Sequence, residues 1–97
     1  MSVPKPPPGH CTVLYFAAAT SYTKKQYDHL PVPFLLSALP EVLEHRYPGI
    51  KAKVLVSCAV TVNLDYVDVE EEAGKGAEGL VVASGDEVAV IPPVSSG

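Results

Sequence analysis

Apolar positions in this chain come in blocks separated by polar or proline-bearing stretches. The first block, Cys11 to Ala19, is an unbroken run in which Thr12, Val13, Leu14, Tyr15 and Phe16 are strand formers, and it predicts a strand covered on both faces. Alternation places Val13, Tyr15 and Ala17 on one face and Leu14 and Phe16 on the other, without saying which face meets the core. Polar Thr20 to Asp28 predicts a loop. His29 to Phe34, with Pro31 and Pro33, predicts a short second strand at a sheet edge, where proline is tolerated, forming a hairpin with the first.

Ser37 to Tyr47 is the clearest helix. Ser37 is the expected N-cap, Pro40 falls in the first turn where its missing N–H costs nothing, and Glu41 sits near the positive end. Leu39, Val42, Leu43 and Tyr47 follow the i, i+3, i+4 rule and form one apolar stripe, with Glu44, His45 and Arg46 outward, before Pro48-Gly49 stops the helix. Within Lys51 to Asn63 the β-branched run predicts a strand from Cys58 onward, its first part being strand or a short helical turn. Asn63-Leu64-Asp65 reads as a turn and Tyr66 to Val69 as a short returning strand. Glu70 to Gly79 (EEEAGKGAEG) predicts a mobile acidic loop, Leu80 to Ala83 resumes the fold, and a Ser84-Gly85-Asp86 turn leads into a last strand, Glu87 to Ile91.

One helix crossing a mixed sheet of four to five strands is an α+β arrangement of the β-grasp, or ubiquitin-like, type. Residues 1–9, with Pro4, Pro6, Pro7 and Pro8, predict a flexible leader, 10–91 the folded domain, and 92–97 an extended tail. Pro92 and Pro93 have no N–H to continue a ladder and favour a stiff path. The six residues beyond Ile91 reach roughly 20 Å when extended. The chain thus reads as a small body holding out a slim arm tipped by a carboxylate.

Composition narrows the chemistry. Ninety-seven residues make one small domain, and 47% hydrophobic residues exclude a disordered chain. A net charge of −4 argues against nucleic acid, since little here could neutralise a row of phosphates. No apolar run approaches the ~20 residues of a membrane helix, and nothing after Met1 resembles a secretory signal. Cys11 and Cys58 fit no Cys-x-x-Cys pattern and read as reduced thiols of a cytosolic protein. His10, His29 and His45 have no partner at metal-ligand spacing, and no Ser/His/Asp or Cys/His set stands out.

Gly85-Asp86-Glu87-Val88-Ala89-Val90-Ile91-Pro92-Pro93-Val94-Ser95 resembles the C-terminal signature of the MoaD family, the small subunits of molybdopterin synthase. Leu14-Tyr15-Phe16-Ala17, Arg46-Tyr47-Pro48-Gly49 and Val62-Asn63-Leu64-Asp65-Tyr66-Val67 resemble that family's first strand, helix end and central hairpin, and the longer loops resemble a eukaryotic member.

The resemblance implies a sulfur carrier with no permanently bound cofactor. An adenylyltransferase of the ubiquitin-activating type would adenylate the Gly97 carboxylate, and sulfur would replace the adenylate to give a thiocarboxylate. A MoaE-like large subunit would admit Pro92, Pro93, Val94, Ser95, Ser96 and Gly97 to its active site. There the sulfur would pass to cyclic pyranopterin monophosphate, in a heterotetramer of two small and two large subunits. Positions matching Phe16, Tyr66 and Ile91 make the family's partner contacts. The chain departs from the family's Gly-Gly ending at Ser96, which leaves open a tolerated variant, an engineered or inactive form, or a chain lacking one more glycine. Two other functions share the fold: a sulfur carrier for thiamine synthesis or tRNA thiolation, and a ubiquitin-like interaction module with an inert tail.

Overall fold

The computed structural model describes residues 3–93. Its main sheet has five strands in the order β2-β1-β7-β4-β5. These are β1 (His10–Tyr15), β2 (Tyr27–Pro31), β4 (Ala59–Val62), β5 (Asp65–Val67) and β7 (Glu87–Ile91). A two-residue ladder lies apart from it, pairing β3 (Phe34–Leu35) with β6 (Val81–Val82). Helices α1 (Ala18–Thr23), α2 (Leu39–Arg46), α3 (Ile50–Lys53) and α4 (Val69–Gly74) complete the chain.

The sheet is mixed because β7, the last strand, enters its centre. β7 runs parallel to β1, with Thr12 opposite Glu87 and Tyr15 opposite Val90, and antiparallel to β4, with Ala59 opposite Ile91 and Val62 opposite Val88. This is the β-grasp arrangement that the order of elements predicts. The core face carries Val13, Tyr15, Val60, Val62, Val88 and Val90, which join Leu36, Leu39, Leu43 and Ile50 in one buried cluster. The expected stripe on α2 is present: Leu39 and Leu43 are buried, and Val42 and Tyr47 pack against the same cluster.

Several boundaries differ from the sequence reading, each for a local reason. The first strand ends at Tyr15 rather than Ala19. Ala17 turns the chain at φ 50, and the Thr20 hydroxyl donates to the Tyr15 carbonyl (2.8 Å). Residues expected as loop then form α1, whose polar composition hides two buried members, Ala19 and Thr23. Serine and threonine read as loop formers because their hydroxyls bond nearby backbone, which Thr23 does here to the Ala19 carbonyl within the helix (2.9 Å).

The second strand starts two residues early, at Tyr27, and ends at Pro31, while Phe34 leaves for the small sheet. Ser37 is not an N-cap. A 3₁₀ turn over Leu36–Ala38 precedes α2, whose cap position is Ala38 with no side-chain cap bond, and Pro40 lies in its first turn. The first part of the Lys51–Asn63 block is helical, as α3 and a 3₁₀ turn at Leu55–Ser57.

The largest correction falls on the acidic stretch. Glu70 to Gly79 is ordered as α4 and a 3₁₀ turn at Gly76–Glu78. The Asp68 side chain caps α4 by accepting from the Glu71 N–H (3.0 Å), and Glu70, Glu71 and Glu72 occupy its positive first turn. Glu72 turns inward, where its carboxylate accepts from the Leu80 N–H (2.7 Å) and from Lys75 Nζ (2.7 Å).

A buried polar knot ties β1, β2 and the end of α2 together. Asp28 accepts from the hydroxyls of Tyr15 (2.8 Å) and Tyr47, and from Lys25 Nζ (3.1 Å). Burial alone would raise the Asp28 pKa, but hydrogen bonds from Tyr47, Tyr15 and Lys25 outweigh it and hold the carboxyl below its ordinary 3.8. Burial and the Asp28 carboxylate push both phenols up.

Candidate functional site

The candidate site is the end of β7 and the sheet face around it. β7 is anchored at its start by the Gly85-Asp86-Glu87 stretch. Gly85 takes φ 86, the left-handed conformation glycine adopts without strain, and closes the turn. The Asp86 carboxylate accepts from the Ala83 N–H (2.8 Å) and from Asn63 Nδ2 (3.1 Å). Asn63 also accepts from the Glu87 N–H through Oδ1 (2.9 Å) and donates its own N–H to the Glu87 carbonyl (2.7 Å). The chemistry of this stretch is therefore structural: it fixes the register of the strand that leads to the tail.

At its other end β7 runs out of partners by composition. Phe16 N–H donates to the Val90 carbonyl (3.3 Å), and past Ile91 the two prolines have no N–H to pair. Pro92 is buried and Pro93 is exposed. Val94, Ser95, Ser96 and Gly97, the expected reactive end of the arm, lie outside the described residues.

Alternation along the paired strands decides which side chains share the second face of the sheet. Residues opposite one another in the ladders point the same way. Tyr66 pairs with Thr61, Thr61 with Ala89, and Ala89 with Leu14. Ile91 and Ala59 form the next row, and Phe16, just past the end of β1, donates its N–H to the Val90 carbonyl next to Ile91. Tyr66 and Ile91, which the resemblance singles out, thus lie on the face opposite the core two strands apart, with Phe16 at the strand end beside Ile91; Tyr66 is 74% exposed, Phe16 46% exposed and Ile91 half-buried. Between them lie small side chains, Thr61 and Ala89, so the face is a shallow apolar floor with larger groups at its margins.

Alternation in the first strand already put Leu14 on the face of Phe16, but sequence reasoning did not reach Ala59, Thr61 and Ala89 as parts of it. The available signal was the alternation Val88, Ala89, Val90, Ile91, with valines inward.

Cys11 is buried and Cys58 half-buried, both free thiols whose pKa values burial pushes up. Among the described residues, no three His, Cys, Asp or Glu side chains gather into a metal-binding group, and no helix is long and apolar enough to cross a membrane. A groove of about 990 Å³ lies between α2, the Leu55–Cys58 segment and β5–α4, with Tyr66 in its lining.

Residues 13–97 match the ThiS family. The chain belongs to that family. It is 55% identical, over all of both chains, to the molybdopterin synthase sulfur carrier subunit of Phaeosphaeria nodorum. That degree of likeness places it among the sulfur carrier subunits of this kind, as the Gly85–Ser95 stretch suggests. Among solved structures, SAMP1 of Haloferax volcanii superposes with a TM-score of 0.71 at 20% identity, covering 92% of this chain and 100% of that one. A complex of subunits 1 and 2 of the molybdopterin-converting factor of Helicobacter pylori gives a TM-score of 0.59 at 20% identity, covering 91% and 99%. At such identities the likeness speaks for the β-grasp fold alone.

Proposed function

We propose that this chain is the sulfur-carrier subunit of a molybdopterin synthase, working in the cytosol through its terminal Gly97. The observation that carries the reading is the coincidence of a family match extending to residue 97 with a central strand that ends in Pro92-Pro93 beside a bare apolar face. A carboxylate is a poor acyl donor because oxide is a poor leaving group. A ubiquitin-activating-type adenylyltransferase supplies a better one: a Gly97 carboxylate oxygen attacks the α-phosphorus of ATP, pyrophosphate departs, and an acyl-adenylate forms. A sulfur nucleophile then attacks the carbonyl carbon and AMP leaves: hydrosulfide gives the thiocarboxylate directly, and a persulfide donor gives an acyl disulfide that a thiol reduces to it. The thiocarboxylate is a far better nucleophile than the carboxylate it replaces. In the active site of a MoaE-like large subunit it gives its sulfur to cyclic pyranopterin monophosphate, within an assembly of two small and two large subunits.

This division of labour explains why the arm needs no pocket of its own. Two enzymes must reach the same terminal group in turn, so the group is carried on a slim extension and the acid and base groups stay with the partners. Phe16, Tyr66 and Ile91 provide the apolar contact that docks the body while Pro92 to Gly97 enter the partner.

Intact mass spectrometry after incubation with the activating enzyme, ATP and a sulfur donor tests the reading. The expected result is a gain of one oxygen-to-sulfur exchange, localised to Gly97. Gain by Ser96→Gly and none by the natural chain would mean that the penultimate side chain blocks activation. Failure of both forms would sink the carrier reading and leave an interaction module.

A further inference from the structure

The tip of the β4–β5 hairpin carries a conformational cost with no return among the described residues. Val62 lies opposite Asp65, so the connection is the two residues Asn63 and Leu64, both left-handed, with φ 49 and 74. A two-residue hairpin loop with positive φ at both positions is the type I′ turn, for which Asn-Gly is the favoured pair. Asn63 suits its position, because asparagine tolerates this region and its side chain ties the hairpin to Asp86 and Glu87. Leu64 does not suit its position: its Cβ crowds the following carbonyl, the reason glycine is preferred there.

Packing does not repay that cost. Leu64 is 83% exposed, the most exposed large apolar side chain among the described residues. Glycine would make the turn easier and remove an apolar group from water. A bulky side chain kept in a strained and fully solvated position points to burial outside the chain.

Its place in the fold says where. Tyr66, also largely exposed, follows two residues later on the same hairpin and belongs to the outer sheet face. The Asn63 contacts with Glu87 put the hairpin tip at the start of β7, whereas the arm leaves from its end at Ile91. Leu64 therefore stands at the opposite end of β7 from the arm, in the turn two residues before Tyr66 of the outer face.

We propose that Leu64 is an additional anchor for the large subunit, seating in an apolar socket of that partner at the end of the sheet remote from the arm. The identity of the partner rests on the sulfur-carrier reading; the need for a partner at this position rests on the turn itself. One contact beside the arm lets the body pivot. A second, a strand length away, fixes the direction in which the arm enters the partner. Burying one leucine at an interface is worth on the order of tenfold to a hundredfold in affinity.

The test uses Leu64→Gly and Leu64→Asn, both compatible with the turn, each measured for thermal midpoint and, by calorimetry, for affinity to the purified large subunit. Phe16→Asp serves as the arm that probes the outer face. The expected result is a pair of opposite effects: Leu64→Gly raises the midpoint of the free chain by about 2–5 °C, while both Leu64 variants raise Kd about tenfold or more. A Leu64→Gly midpoint below that of the natural chain would show that the leucine is repaid within the fold, and would overturn the proposal. So would unchanged affinity in both Leu64 variants; if Phe16→Asp then weakens binding, the carrier reading stands without it. If the natural chain fails to bind the large subunit at all, both readings fall. A dimer of the free chain that both Leu64 variants abolish, with large-subunit affinity unchanged, would assign the leucine to a second copy and overturn the proposal likewise.

Discussion

The two faces of β7 answer to different constraints. On one, Val88 and Val90 are fully buried, meeting Val60, Val62, Val13 and Tyr15 across the strand ladders and α2 from above. On the other, Ala89 is shielded only by its neighbours and Ile91 is half-buried, with Phe16 and Tyr66 standing in solvent at the margins. Both faces are apolar, so hydrophobicity alone does not tell them apart. Side-chain size and coverage do: branched, interlocking residues face the helix, and small residues flanked by aromatics face outward. A strand central to the fold can serve a partner with its other face because the core is completed on one side only.

Substitutions that put a charge on each face sharpen this contrast most. Val90→Asp buries a carboxylate with no partner and costs about 4 kcal/mol or more, a large part of the stability of a domain this size. Circular dichroism should show an unfolded or barely folded chain at 25 °C. Tyr66→Asp places the same charge where the side chain is already 74% exposed, and should shift the midpoint by no more than a few degrees. Its effect belongs to binding, with affinity for the large subunit falling about tenfold or more. Equal loss of stability in the two variants would erase the distinction between the faces.

The Asp28 knot gives the core side a second, polar signature of intermediate size. Asp28→Ala leaves the buried Tyr15 hydroxyl without its acceptor and should cost about 2–3 kcal/mol. The sign of the pH dependence follows from the depressed carboxyl. Because the folded pKa lies below the ordinary 3.8, the stabilisation is fully present above that value and is lost as pH falls through the folded value. Denaturant titrations from pH 6 downward should show the natural chain losing stability in that acid window, with a shallower loss in Asp28→Ala. Parallel curves would mean that the carboxylate is not what holds the two phenols.

The elements most legible in the sequence were those in which local pattern and tertiary role agree. The Leu39, Leu43 and Tyr47 spacing marked α2, and the Gly85-Asp86 turn with the Pro92-Pro93 stop bounded β7 at both ends. What escaped was set by single side-chain bonds a few residues along the chain, which composition does not announce. Nothing near Thr20 announces that its hydroxyl will meet the Tyr15 carbonyl and let α1 begin. Glu72 looks like its solvated neighbours until the Leu80 N–H is placed beside it. The candidate site was read through resemblance for Phe16, Tyr66 and Ile91. Its small floor residues and the backbone of Leu64 become visible only once pairing and φ are known, because pattern records which residues are apolar and not which conformation they must hold.

The smallest effect separates ordered acidic surface from the mobile loop its composition suggests. Removing Glu72 should not unfold the domain, since its bonds are local to α4 and the start of β6. Glu72→Gln keeps an oxygen acceptor for the Leu80 N–H and loses only the Lys75 ion pair; Glu72→Ala loses both. Amide exchange should therefore quicken on the order of tenfold at Leu80 and along 69–79 in the alanine variant, and by less in the glutamine variant. The rest of the sheet should exchange as before. The same carboxylate sits below its ordinary 4.5, through the Lys75 ammonium first and the Leu80 N–H second. Its contribution is accordingly complete above that value and fades as pH falls through the folded one. Exchange at 69–79 in the natural chain, corrected for the intrinsic pH dependence, should rise in the same acid range and approach that of the alanine variant. If natural and alanine chains exchanged alike at neutral pH, α4 would be held by helix capping at Asp68 alone, and the inward turn of Glu72 would contribute nothing to its order.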